Sequence, residues 1–376
     1  MKLKKTTLQN FITYAIVIVA FLVCQWLIAS GRMTRSLKGQ MIPICVYIVM
    51  AVSLNLVVGI SGELSLGHAG FMSVGAFAGI IASAWLGDGL GLENELARLL
   101  LSMVAGGVIA GIAGVLIGIP VLRLRGDYLA IVTLAFGEII RNVLNCLYFS
   151  LEGRRLHVSF NNPSIPGTIL VNGPAGASGV DKIATFPMGF ALILFMLFVV
   201  LNLINSRSGL AIMASRDNRI AAEAMGINVT KYKMMAFVTS AVLAGAAGTL
   251  YGLNFSTITA AKFKFDTSIL VLGFVVLGGI GNIRGSIIAA ALLTILPELL
   301  RAFNDYRMLI YAIVLILVML ATNNPTVRAL LERVGRALKK VGDAIYTVLR
   351  PSHAVGKLVG KELESGKESG KGGDGE

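Results

Sequence analysis

Long apolar runs separated by short polar breaks set the pattern of this chain. A stretch such as AIVIVAFLVCQWLIA (15–29) neither alternates nor carries a charge. About 20 consecutive apolar residues make one helical membrane span. The pattern predicts about ten of them, at 11–30, 41–60, 68–86, 98–122, 128–150, 186–205, 234–254, 267–283, 285–300 and 308–323. A closed barrel is the other structure that satisfies every backbone group in lipid, but its strands alternate apolar and polar residues, and these runs do not. The predicted class is therefore an all-α integral membrane protein, a polytopic helical bundle.

Composition agrees: 56% of residues are hydrophobic and 14% charged, with a mean hydropathy of +0.79. The first span follows MKLKK without a small-residue cleavage site after it, and reads as a retained helix. The net charge of +13 lies at span ends and in the tail, without a folded soluble domain to carry it, so it reports topology and predicts no nucleic-acid partner. With the N-terminus inside, the loop 206–233, bearing Arg207, Arg216, Arg219, Lys231 and Lys233, and the tail after 323 are cytoplasmic. The acidic GDGLGLENEL and the loop 152–184 then lie outside; Arg32, Arg35 and Lys38 would join them, an exception to the positive-inside rule. Cys24, Cys45 and Cys146 fall in apolar runs without metal-ligand spacing, and no metal or other cofactor is expected.

Two apolar runs are broken by chemistry. GISGELSLGHAG (59–70) places Gly59, Gly62, Gly67 and Gly70 among Ser61, Glu63, Ser65 and His68, the pattern of a discontinuous or re-entrant helix, which membrane depth tolerates only where protein or a watery path surrounds it. Glu63, Ser65 and His68 are thereby candidates for a transport pathway; His68, lacking a second ligand at metal spacing, reads as a hydrogen-bonded structural histidine. In TLAFGEIIRN (133–142), Glu138 and Arg141 stand three apart on one helical face, either as a pathway or gating pair or as a structural ion pair. GGIGNIRG (278–285) has the wrong final spacing for a dinucleotide fingerprint and reads as a tight turn; no G-x-x-x-x-G-K-[ST] occurs, so no P-loop is present. After Asn324 and Pro325, apolar residues from Val327 to Val348 recur at three and four, with Arg and Lys off the stripe. This predicts a basic amphipathic helix over 324–350 on the inner membrane surface or against a partner, then a disordered tail over 351–376.

Between two apolar runs lies SRDNRIAAEAMGIN (215–228). Asp217 can cap a short helix reaching about Met225, Gly226 suits the left-handed position past its end, and Asn228 or Thr230 can start the next helix. Arg216, Arg219 and Glu223 are expected on one side, with Ile220 and Ala224 on the other. So short a helix needs packing to hold it, and its small-residue face suits docking on a soluble partner.

AAEAMGIN resembles the Glu-Ala-Ala…Gly coupling loop of importer permeases powered by ATP-binding cassettes. Together with NLVVGISGELSLGHAGFMSVGAFAG (55–79), GDYLAIVTLAFGEIIR (126–141) and FDTSILVLGFVVLGGIGNIRG (265–285), it resembles the LivM-type permease subunit of high-affinity branched-chain amino-acid importers, over roughly 41–323. The resemblance implies a permease domain over 1–323 in the bacterial inner membrane with both termini cytoplasmic. Its implied partners are a second homologous permease subunit, two cytoplasmic ATPase subunits, and a periplasmic or lipid-anchored protein delivering leucine, isoleucine or valine. Arg216, Asp217, Arg219, Glu223, Ala224 and Gly226 would then meet an ATPase groove, and the chain itself would be no enzyme. LEGRRLHVSFNNPSIPGTI and NNPTVRALL depart from the family pattern after the fifth and last spans. Related permeases carry urea, amides or other amino acids; an ion-coupled secondary transporter is a remoter alternative.

Overall fold

Helix directions are set by a few close contacts between small residues, which can be followed from one helix to the next. The computed structural model describes residues 2–31, 34–124, 126–160 and 166–301, with 306, 309–313 and 316, and side chains from Thr13 onward. In chain order these form α1 (Lys2–Ala29), α2 (Arg35–Asn55, prolonged by a π-helical turn Leu56–Ile60), α3 (His68–Ala84), α4 (Glu95–Val121) and α5 (Asp127–Asn145). Then come β1 (Leu147–Glu152), β2 (Arg155–Phe160), β3 (Thr168–Asn172), β4 (Ala177–Ser178), α6 (Phe186–Asn205), α7 (Arg207–Asp217), α8 (Arg219–Ala224) and α9 (Val229–Gly252). β5 (Thr257–Ile258), α10 (Phe265–Gly278) and α11 (Ile283–Leu299) follow. The expected basic helix 324–350 and tail 351–376, and most of the span 308–323, fall outside the described residues.

Among the described residues six helices are long and apolar enough to cross a membrane: Arg35–Ile60, His68–Gly89, Glu95–Val121, Tyr128–Asn145, Phe186–Asn205 and Val229–Gly252; Thr13–Ala29 and Phe265–Gly278 are apolar but shorter. The most apolar stretch of α2 is 89% buried and that of α5 only 22%, so α2 is a central stave and α5 lies at the rim. α3, α4 and α9 pack together through glycine. A Cβ on Gly75 would meet the Gly245 carbonyl at 2.1 Å, one on Gly248 the Met72 carbonyl at 2.0 Å, and one on Gly106 the Thr249 hydroxyl at 2.0 Å. Thr249 fills the meeting point and donates to the Gly75 carbonyl at 2.9 Å. In lipid no hydrophobic drive favours helix association, so such close backbone approach supplies the dispersion that holds the trio.

The contacts Gly75 to Gly245 and Gly79 to Thr249 make α3 run parallel to α9, whereas Gly118 beside Met234 makes α4 antiparallel to both. α1 is held near mid-length by Arg284 on Thr13 and two turns farther along by Phe21 stacked on Phe190. Successive long helices thus alternate in direction, with the 215–228 cassette, the turn after α10 and the start of α1 at one end of the bundle.

The opposite end corrects the all-α expectation. The fifth apolar run ends as a helix at Asn145, short of the expected 150, and continues as strand. β1 to β5 form one antiparallel sheet in the order β2-β1-β3-β4-β5. Its cause is visible in RLHVSF, where polar and apolar residues alternate with the period of a strand, after a tight turn at Gly153 (φ +59°). β5, from the far side of α9, pairs Ile258 with Ala177 and so ties the α9–α10 connection to this cap.

Gly75→Ala should lower stability by about 1–3 kcal/mol through overpacking, read as an earlier thermal unfolding transition in detergent. Gly273→Ala, with nothing within 4 Å of the added methyl, should leave that transition unchanged or slightly later.

Candidate functional site

Between the π turn and α3 the chain leaves the helix while still inside the bundle. Ser61 to Gly67 carry no helical hydrogen-bond ladder, so their backbone groups need other partners. Ser61 N–H donates to the Leu56 carbonyl and Glu63 N–H to the Val57 carbonyl, both at 3.1 Å. Leu66 N–H donates to Thr133 Oγ1 of α5 at 3.0 Å, and that hydroxyl donates onward to the Ala130 carbonyl. Gly67 lies so close to α5 that a Cβ would sit 2.2 Å from the Thr133 carbonyl. At the first turn of α3, Ala69 N–H donates to Ser268 Oγ of α10 at 3.1 Å.

The sequence candidates separate into two groups. His68 is 2% exposed, with Nε2 2.8 Å from Ser53 Oγ. That hydroxyl also donates to the Met50 carbonyl at 3.0 Å, which leaves its oxygen to accept from the ring. Ser65, equally buried, has a hydroxyl without a hydrogen-bond partner among the described residues, as has Ser61. Glu138 pairs with Arg141 on α5, Nη2 to Oε2 at 2.6 Å and both side chains part-exposed. Glu138 also lines a narrow polar cleft with Leu66, Gly70, Gly137 and Ser268, where the starts of α3 and α10 meet α5. Glu63 stands apart from these, at the cassette end, paired with Lys233 of α9. The wider hollows, such as that lined by Ile81, Trp85, Ile109 and Leu156, are almost wholly apolar.

The cassette folds as two helices, not one. α7 runs to Asp217, and Asn218, not Asp217, caps α8, accepting from Ala221 N–H at 3.0 Å. Asp217 instead holds the Arg216 guanidinium through Oδ1, at 2.9 Å from Nε and 2.8 Å from Nη2. Arg216 therefore belongs to α7, while Arg219 and Glu223 share the exposed face of α8 and pair at 2.9 Å. α8 spans six residues, fewer than the sequence predicts, because Asn218 takes the cap one position later and Gly226, at φ +78°, terminates it. Asn228 caps α9 through Lys231 N–H. Ala222 is buried, while Ala224 is exposed and Ile220 and Met225 are 80% and 82% exposed.

One cassette residue and one residue of α9 reach the break. Arg216 Nη1 donates to the Gly59 carbonyl at 2.9 Å, with its methylenes where a Cβ of Gly62 would lie; Lys233 pairs with Glu63. Gly59 also abuts Gly281 in the α10–α11 turn, and buried Asn55 fixes that turn by accepting from Gly281 N–H at 2.8 Å and donating to Ser286 Oγ at 2.9 Å. Sequence reading missed Asn55, Ser53, Thr133, Lys233 and Ser268. An asparagine in the run IVMAVSLNLVV was a visible signal; the others depend on partners distant in sequence.

Thr133→Val should leave Leu66 N–H unpaired, costing about 1–3 kcal/mol, and accelerate amide hydrogen exchange over 61–67. Thr133→Ser should restore the wild-type exchange rate.

The family model described as "Branched-chain amino acid transport system / permease component" matches residues 37–319. The chain is 33% identical over 309 residues to the high-affinity branched-chain amino acid transport system permease protein LivM of Salmonella typhimurium, covering 73% of this chain and 66% of that protein. It is 34% identical to LivM of Escherichia coli K12, with the same coverage. The chain thus spans just under two thirds of the length of these relatives. The autoinducer 2 import system permease protein LsrC of an Enterobacter strain is 28% identical over 184 residues, 46% of this chain and 50% of that protein. No solved structure matches. With its family model matched along three quarters of its length, the chain belongs to the branched-chain amino acid transport permease family.

Proposed function

We propose that this chain is a transmembrane permease subunit of an ATP-binding-cassette importer, one half of a pore that passes leucine, isoleucine and valine delivered by an extracytoplasmic binding protein. The observation that carries the reading is α8. Asn218, Gly226 and Asn228 hold it in one conformation, yet it presents Ile220 and Met225 almost fully exposed. Apolar side chains held rigidly outside a bundle suit a groove on another subunit. ATP hydrolysis then occurs on two cytoplasmic partners, one of which grips α8, and a second homologous permease completes the pore. The LivM relatives, similar along most of this chain, support the branched-chain cargo.

In this reading the nine long described helices cross the bacterial inner membrane, with the N-terminus and the cassette cytoplasmic and the β-sheet outside. The alternating helix directions support that topology. Ser65, His68, Glu138 and Arg141 then lie along the pathway, where buried polar groups at a helix break are tolerated because a watery route adjoins them. An unpartnered buried hydroxyl such as that of Ser65 suits a group whose partner changes during a cycle.

In a reconstituted complex of both permeases, the ATPases and the binding protein, Glu223→Lys should leave membrane insertion intact and lower leucine uptake per ATP hydrolysed by about fivefold or more. Gly226→Val should do likewise, because a β-branched residue resists φ +78°. Gly226→Asn, which tolerates that conformation, should retain uptake. Full coupled uptake by the Lys and Val variants would overturn the coupling role.

A further inference from the structure

The cassette is fastened to the helix break at two points, one on each side of α8. On the α7 side, one planar guanidinium spans two elements: Nη1 holds the Gly59 carbonyl at 2.9 Å, while Nε and Nη2 hold Asp217. On the α9 side, Lys233 pairs with Glu63, and the two side chains are only 11% and 13% exposed. The anchoring residues lie 157 and 170 positions from their partners, so neither contact is a local feature of loop folding. Both land within five residues of one another, Gly59 to Glu63, at the end of the bundle's most buried stave.

We propose that Arg216–Gly59 and Lys233–Glu63 form a two-point latch through which movement of α8 opens and closes the broken segment 59–67; this rests on α8 being the coupling helix. The fork of Arg216 is suited to one half of it because three of its donors act at once in fixed geometry, which an ammonium cannot reproduce. The other half is a nearly buried ion pair, for which removal of one partner leaves the other charge desolvated. Displacing α8 must therefore either drag 59–63 along or break both contacts. Since Gly59 abuts Gly281, and Leu66 and Ala69 are bonded to α5 and α10, movement of the segment reaches the cleft beside Glu138. Arg216, Lys233 and Glu63 act as positioning residues in this scheme.

Locking the latch tests it. In a background with Cys24, Cys45 and Cys146 replaced by serine, Glu63→Cys and Lys233→Cys are joined by a short bifunctional thiosulfonate in the assembled complex. The unlinked double variant, with its assembly intact, should lose uptake about fivefold or more; linking should restore most of it, and reduction of the link should remove it again. Wild-type uptake by the unlinked variant, or no recovery on linking with assembly intact, overturns the proposal. Independently, Glu63→Lys and Lys233→Glu should each reduce uptake per ATP, and the exchanged pair should recover most of it; failure of the exchanged pair to recover, with assembly intact, also counts against the latch. If the Glu223 and Gly226 variants uncouple transport but breaking the Glu63–Lys233 pair does not, α8 still couples and only the latch is wrong; if breaking the pair uncouples transport while those variants remain coupled, the role of α8 is what fails.

Discussion

Backbone amides that leave a helix inside a membrane bundle must find partners, because lipid offers none and each unpaired group costs several kcal/mol. The break and the helix ends that flank it, Gly59 to Ala69, impose that demand here, and much of the surrounding structure answers it. Thr133 is bonded at both its donor and acceptor to serve Leu66; Ser268 meets Ala69; Arg216 takes the carbonyl of Gly59. Three separate elements, α5, α10 and α7, are thus drawn to one irregular segment. A regular helix over the same residues would need none of them.

The glycines follow from the same demand. Gly67 is required because a Cβ would lie on the Thr133 carbonyl, and Gly59 because one would strike Asn55 and the Gly281 amide. These differ from the glycines of α3, α4 and α9, where the close approach is between regular helices and its yield is packing alone. One residue type therefore serves both a rigid trio and an adjoining break. The break adjoins that trio directly: Ser53, whose hydroxyl meets His68, accepts from Ser240 of α9 through its carbonyl.

Hydropathy made the helices legible, since a run of twenty apolar residues permits little else in lipid. The break was legible as well, because Gly, Ser, Glu and His interrupt such a run at a density that packing does not require. What escaped were features decided by register or by distant partners. RLHVSF carried a strand's alternation, but its six residues followed an apolar run that continued the helical pattern to 150. Asp217 and Asn218 are both good caps, and which one acts depends on where α7 stops. Lys233 appeared as one more positive charge at a span end; only the fold brings Glu63, 170 residues earlier, to meet it.

In the proposed coupling role the cassette has to be stiff in itself and firmly joined to what it moves, and six helical residues supply neither unaided. Stiffness comes from the caps: Asn218 fixes the start of α8, Asn228 the start of α9, and Gly226 the reversal between them. Joining comes from the charges, and their placement is selective. Arg219 and Glu223 satisfy each other on the exposed face, adding little to the connection with the bundle, whereas Arg216 and Lys233, at the inner ends of the flanking helices, turn toward α2 and the break. Surface ion pairs contribute little to stability, but the same chemistry taken out of water resists separation. The gradient of burial from Glu223 to Glu63 therefore separates an exposed outer face from an inner pair that holds the bundle.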